Sequence, residues 1–197
     1  MPLRANRRGK TKGSNMAGRV EIINIALARL GESPIQSLEE GTVPANVAKL
    51  LFDSARRSTL RDFNWSFALS MASLARLAET PVDFHYAFAL PADCLRAIRL
   101  RGDRAFVVRG NRLLTDEGEP VLEYIADVTD ETKFDAKFTE AFTYKLASEL
   151  AMSVKGSSEL MASYSNAYQT YITQAAAESA GETRVHPSEN PYVEARF

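Results

Sequence analysis

The sequence predicts an α+β fold. It is read as a four-helix bundle, two helices from each end of the chain, with an antiparallel β-sheet inserted between the halves and an arm and a tail outside them. Three observations carry this reading. Apolar residues recur at helical spacing over about 17–63, alternate in short runs between Gly-rich breaks over about 66–128, and return to the helical period over about 131–180. With 197 residues, 45% hydrophobic and 25% charged, the chain has the composition of a soluble globular protein with one core. We therefore expect one domain over 17–181, flanked by 1–16 and 182–197.

Residues 1–16 are polar and aperiodic, and too poor in apolar side chains to order themselves by burial. Arg4, Arg7, Arg8, Lys10, Lys12 and Arg19 all precede the first acid, Glu21, so the net charge of −1 divides into +6 over the first nineteen residues and −7 over the rest. The segment reads as a flexible basic arm. It is either a binding arm or an extension upstream of a start at Met16, or a tag remnant.

From Ala17 the spacing of Val20, Ile23, Leu27 and Leu30, stopped by Gly31, predicts a first helix over about 17–30. Ser33-Pro34 blocks its continuation, because the residue before proline avoids helical dihedrals. Thr42 as cap and Pro44 in the first turn start a second helix over about 43–63, with a stripe of Val47, Leu50, Leu51, Ala55, Leu60 and Phe63. Lys49, Arg56, Arg57 and Arg61 lie mainly off that stripe and read as a solvated face, a subunit contact or, in a rival reading, phosphate contacts. Trp65 and Phe67 are assigned to the core where this helix meets the strands.

The strand region opens on the alternation of Phe84, Tyr86, Phe88 and Leu90, followed by Leu95–Ala97, Ala105–Val108, Arg112–Leu114 and Val121–Ile125. Gly102-Asp103 and Gly110-Asn111 predict hairpin turns, since these residue types tolerate positive φ. The triplet Arg101-Gly102-Asp103 is accordingly read as a turn and not as an adhesion signal. Helices three and four follow over about 131–154 and 157–180, the fourth with a stripe of Leu160, Met161, Tyr164, Tyr168, Tyr171, Ile172 and Ala175. Gly156 stops one, and Ser157 or Ser158 caps the next, so the two should form an antiparallel hairpin of Ala-rich rods, each about 35 Å long. The tail from Glu182 to Phe197 has isolated apolar residues, Val185, Pro187, Tyr192, Val193 and Phe197, too few to fold alone but more than a solvating tail carries. It reads as a docking tail.

Little here serves chemistry. Cys94 is the only cysteine, which leaves no intrachain disulfide and no thiolate metal site, and the two histidines, His85 and His186, are about a hundred residues apart. Neither Gly-rich nucleotide fingerprint is present, and the acids Asp127, Asp130, Glu131 and Asp135 match no calcium loop and read as a solvated helix N-terminus. No catalytic, cofactor or metal residues are assigned. No apolar run approaches the ~18 residues that span a bilayer, so no membrane partner is expected.

Two stretches resemble the head-to-tail adaptor proteins of short-tailed phages, often called tail tubular protein A, and their prophage relatives. One runs from Ile23 through Leu30-Gly31-Glu32-Ser33-Pro34 and Ala45-Asn46-Val47-Ala48 to Arg61-Asp62-Phe63-Asn64-Trp65-Ser66-Phe67. The other holds Phe138, Ala141-Phe142, Leu146-Ala147, Leu150-Ala151 and Gly156-Ser157. The resemblance implies a non-enzymatic virion protein, assembled in the host cytoplasm. It further implies a dodecameric ring between the portal protein and the tail nozzle or another tail protein, with transient, non-specific contact to the DNA passing through. Within that picture Val185, Pro187, Tyr192, Val193 and Phe197 are expected to dock on the portal. Arg99, Arg101, Asp103, Arg104, Arg109, Asn111 and Arg112, on the sheet loops, are expected to face the nozzle or a neighbouring subunit. Two alternatives remain open: a neck or tail completion protein of a long-tailed phage, and a small DNA-binding module using the basic arm.

Overall fold

The structure, a computed structural model, describes the backbone of residues 11–182 and the side chains of residues 18–178. Arg4, Arg7, Arg8 and Lys10, the side chain of Lys12, and the tail residues Val185, Pro187, Tyr192, Val193 and Phe197 lie outside the described residues. Helix α1 spans Thr11–Arg29 and so begins well before the predicted start near 17. No proline separates the arm from the periodic segment, and extending a helix is far easier than nucleating one. It ends as expected: Gly31 takes φ +68°, and the Glu32 N–H reaches back to the Leu27 carbonyl at 3.0 Å. The loop that follows is clamped by Asn24, whose amide accepts the Ile35 N–H at 2.8 Å and donates to the Ile35 carbonyl at 3.0 Å, seating Ile35 in the core.

Helix α2, Val43–Asp62, starts on Thr42, whose hydroxyl accepts the Ala45 N–H. Its buried face is Ala45, Ala48, Phe52, Ala55, Arg56, Thr59 and Leu60. Two expectations fail on it. Leu50, placed in the stripe, is 77% exposed, and Arg56, placed on a solvated face, is 1% exposed. At 3.6 residues per turn the face through 45, 48, 52, 55 and 59 takes in position 56 and turns position 50 away.

The third helical stretch is shorter than predicted. Glu131–Lys133 form a separate 3₁₀ turn capped by Asp130, and α3 itself, Ala136–Leu150, starts on Asp135, whose carboxylate accepts the Phe138 N–H at 2.6 Å. A wider π turn over Ala151–Lys155 follows, closed by Gly156 at φ +63°. Helix α4, Ser158–Glu182, is capped by Ser157, the first of the two expected serines, through the Leu160 N–H at 3.1 Å. The α3–α4 pair is antiparallel: Lys137 meets Glu178 at 2.6 Å, and the Tyr144 ring lies 6.2 Å from Tyr171. α3 packs against all three other helices. Met161, expected in the α4 stripe, is 40% exposed, while Tyr168 is buried and donates its hydroxyl to Asp62 at 2.7 Å.

The strands are β1 (Leu69–Ser73), β2 (Ala75–Arg76), β3 (Tyr86–Ala89), β4 (Cys94–Leu100), β5 (Phe106–Arg109), β6 (Arg112–Thr115) and β7 (Val121–Ala126). They form two antiparallel sheets where one was expected, ordered β1-β7-β4 and β2-β3-β6-β5. The reason lies at Gly102-Asp103, with φ values of +78° and +51°. That turn carries the chain out of the first sheet, so β4 and β5 are not the hairpin predicted there. Gly110-Asn111 does close a hairpin, pairing Arg109 with Arg112, with Gly110 at φ +63° as the first central residue of a type II′ turn requires. A Cβ on Gly110 would meet nothing within 4 Å, so Gly110→Ala is expected to cost about 1–2 kcal/mol from backbone strain alone, read by urea unfolding. A loss below a few tenths would contradict that turn geometry.

β7 joins the two cores. Ile125 belongs to the large cluster of the helices, whereas Leu122 and Tyr124 pack with Leu100 and Leu113 between the sheets. Because β7 pairs with β1, the insertion enters and leaves the helical layer side by side.

Candidate assembly surfaces

The sheet-loop residues expected to make contacts lie at the end of β4, on the β4–β5 turn and on the β5–β6 hairpin, with Arg99, Arg101, Asp103, Arg104, Arg109 and Asn111 exposed and Arg112 half-buried. They are not a free cationic patch. Arg99 reaches Glu123 at 2.7 Å and Asp103 at 3.9 Å, Arg104 reaches Glu117 at 3.4 Å, Arg109 reaches Asp83 at 3.1 Å, and Arg112 pairs with Glu79. Only Arg101 of these arginines lacks an ion pair among the described residues. Each exposed pair adds at most about 1 kcal/mol of stability, but together they make the tip of the insertion nearly neutral. The partner acids were not singled out from sequence. The cross-strand register that sets Arg99 opposite Glu123 is the signal that identifies one of them. Nearby, the backbone N–H and then the ring of His85 both bond Asp116, at 2.9 and 2.7 Å, and hold its carboxyl below the usual range.

A second group of charges sits where the helices meet the sheet. Arg56 binds Asp127, the Val128 carbonyl at 2.7 Å and Asp53 at 3.5 Å; Arg57 binds Asp127 at 3.1 Å; Arg61 donates to the Leu95 carbonyl. Arg19 joins the same network, donating to Glu131 at 3.0 Å and Asp53 at 3.4 Å with its guanidinium 4.5 Å over the Phe52 ring. The solvated cationic face expected on α2 holds for Lys49, Arg57 and Arg61, which are exposed, and is corrected at Arg56, which is buried and bound within the chain. The acidic cluster is corrected in part. Asp130 and Asp135 cap helical turns as the helix-terminus reading requires, whereas Glu131 is buried under Arg19 and Asp127 neutralises Arg56. The Asp130 carboxyl is held low by the Thr132 hydroxyl and then by the Thr132 N–H.

Two outward helix faces stand apart from these charged regions. On α1, Val20, Glu21, Asn24, Ile25 and Ala28 line a shallow groove of about 690 Å³ closed on one side by Gln36 and Ser37. On α4, no Asp, Glu, Lys or Arg occurs from Leu160 to Ala177, and Ala162, Ser165, Asn166, Gln169 and Thr173 are exposed. A third recess lies between the sheets, where Leu90, Leu95, Phe106 and Val108 surround Cys94. Burial, and then Asp93, push the Cys94 thiol up, away from the thiolate a nucleophile needs. Among the described residues, no three His, Cys, Asp or Glu side chains gather to hold a metal ion, and no helix is long and apolar enough to cross a membrane.

A family model described as tail tubular protein matches residues 20–119, just over half the chain, running from within α1 through α2 to just past β6. No curated protein matches the chain.

Proposed function

The chain belongs to the tail tubular protein family of phage tail structural proteins, and on that premise we propose that it is the head-to-tail adaptor. In this reading twelve copies close a ring that joins the portal protein to the tail nozzle or another tail protein, and DNA crosses the ring in transient, non-specific contact. Residues 17–181 act as one adaptor domain, its four helices forming a bundle and the sheets projecting from it. The role is structural and not enzymatic, in a virion particle assembled in the host cytoplasm.

One observation carries the reading. The family match is continuous from within α1 into the strand region, covering the C-terminal half of α1, all of α2 and six of the seven strands. The return of β7 beside β1 supports it further, because it lets the C-terminal helices pack on the N-terminal pair as one rigid body bearing a projecting tip. The tip residues Arg99, Arg101, Asp103, Arg104, Arg109, Asn111 and Arg112 then face the nozzle or a neighbour, with Arg101 the cation left to bind an acid on that partner. The tail docks on the portal through Val185, Pro187, Tyr192, Val193 and Phe197, the two aromatic residues giving large contact area per ordered residue.

Electron microscopy of the protein mixed with its portal tests the role: an added ring at the portal's narrow end is expected, and a monomer that never joins the portal would overturn it. Truncation after Gly181, one residue before the end of α4, is expected to abolish portal attachment while the circular dichroism and unfolding midpoint stay unchanged. Attachment that survives truncation removes the tail from the mechanism.

A further inference from the structure

We infer that the groove on α1 receives the charge-free face of α4 from a second copy, so that these two surfaces are the complementary sides of the subunit-to-subunit contact. The inference rests on the ring reading and names the surfaces that close it.

The α4 face is unusual for solvent. A quarter of the chain's residues are charged, yet Leu160–Ala177 carry none, although Ala162, Ser165, Asn166, Gln169 and Thr173 are exposed. The outward faces of the neighbouring helices do carry charge, Glu21 on α1, Lys49 and Arg57 on α2, and Lys137 on α3. A solvated helix face normally holds such residues, and their absence removes the desolvation cost of covering it. The α1 groove has the matching chemistry. It is concave and mainly apolar, with Ile25 still 38% exposed, and Glu21 is its one charge. Gln36 and Ser37 at its edge can bond the amides and hydroxyls of a face such as Asn166, Gln169 and Thr173.

The other segments of this chain are poorer occupants. The stretch 1–16 brings five cations, and 182–197 places Glu182, Arg184, Glu189, Glu194 and Arg196 so that no more than four successive residues are uncharged. Either would bury charge in an apolar groove. Nor can a copy fill its own groove with its own α4. α3 packs against both helices, and each of the two faces lies opposite its own packing stripe, Ile22, Ile23, Ala26, Leu27 and Leu30 on α1 and Tyr164, Tyr168, Tyr171 and Ala175 on α4. Contact between two different patches is heterologous, the kind that closes into rings.

The test uses two full-length variants. Ile25→Arg puts a charge in the groove, and Gln169→Arg puts one on the α4 face; Ala28→Arg and Ser165→Arg stand in if either fails to match the wild-type unfolding midpoint. Each variant alone is expected to sediment as a monomer and to leave no ring on the portal. An equimolar mixture is expected to sediment as a 1:1 dimer and no larger, because one intact groove and one intact α4 face remain between them. A mixture that stays monomeric, or variants that still build rings, overturns the assignment. If the wild type rings on the portal while the variants are unaffected, these surfaces are wrong and the adaptor role stands. If the wild type never rings but the mixture dimerises, the surfaces stand and the adaptor role falls.

Discussion

Arg56→Met is expected to lower the stability by about 3 kcal/mol, the low end of the range for breaking a buried ion pair, because Arg57 still holds one oxygen of Asp127. The Arg56 side chain is 1% exposed and supplies bonds to Asp127, Asp53 and the Val128 carbonyl, tying α2 to the chain as it leaves β7. Removing the guanidinium leaves a carboxylate that is 18% exposed with one oxygen unpaired and a carbonyl that has lost its donor. For a domain of this size the midpoint should fall by roughly 6–12 °C. The double variant Arg56→Met with Asp127→Asn should recover a good part of the loss, since the one charge left without its partner, Arg57, is exposed to water. Thermal and urea unfolding decide the matter. A single-variant loss under about 1 kcal/mol would mean that this pair behaves as an exposed one.

The second large effect is expected at the aromatic cluster between α2 and α3. Trp65 is 2% exposed, with its ring centroid 4.8 Å from Phe63 and 5.3 Å from Phe138, and Phe138 in turn lies 4.7 Å from Phe134 and 5.1 Å from Phe67. The indole N–H also donates to the Thr59 carbonyl at 2.8 Å, satisfying a group near the C-terminal end of α2. Trp65→Ala removes both the packing and the bond and should cost about 3–5 kcal/mol; Trp65→Phe, which keeps much of the ring, should cost clearly less. Phe138→Ala should match the alanine variant. Trp65 is the only tryptophan, so its emission reports this site directly: a shift to the red in folded Phe138→Ala is expected as water enters the cavity. Unchanged emission with unchanged stability would show that the cluster does not hold the layers together.

The expectations that held share a local cause. Gly31, Gly156, Thr42 and Ser157 mark helix ends because a cap depends on residues within four positions of itself. Gly110-Asn111 marks a hairpin because two residues decide its twist. Trp65 and Phe67 were readable as core from their place between a helical and an alternating period. The misses were set across distance. Arg56 differs from its neighbour Arg57 by about 100° around the helix, and only the arrival of Asp127 and Val128, about seventy residues on, turns one into an anchor and leaves the other at the surface. The Gly102-Asp103 turn looks like that at 110–111 in sequence, yet β4 finds β7 in place of β5. Likewise the loop cations were legible as arginines, but not their neutralisation by Glu79, Asp83, Glu117 and Glu123. The Asn24 clamp on Ile35 carried no sequence signal beyond an asparagine inside a helical stretch.

From its sequence alone this chain is settled as an α+β protein with helices at both ends and short strands between, because helix and strand periods and their caps are written in neighbouring residues. The tertiary structure decided how the strands divide into two sheets, which arginines are buried and paired, and which helix faces are left outward and without charge. Those outcomes depend on which distant groups satisfy a buried charge or a free strand edge, and that is a choice made by packing.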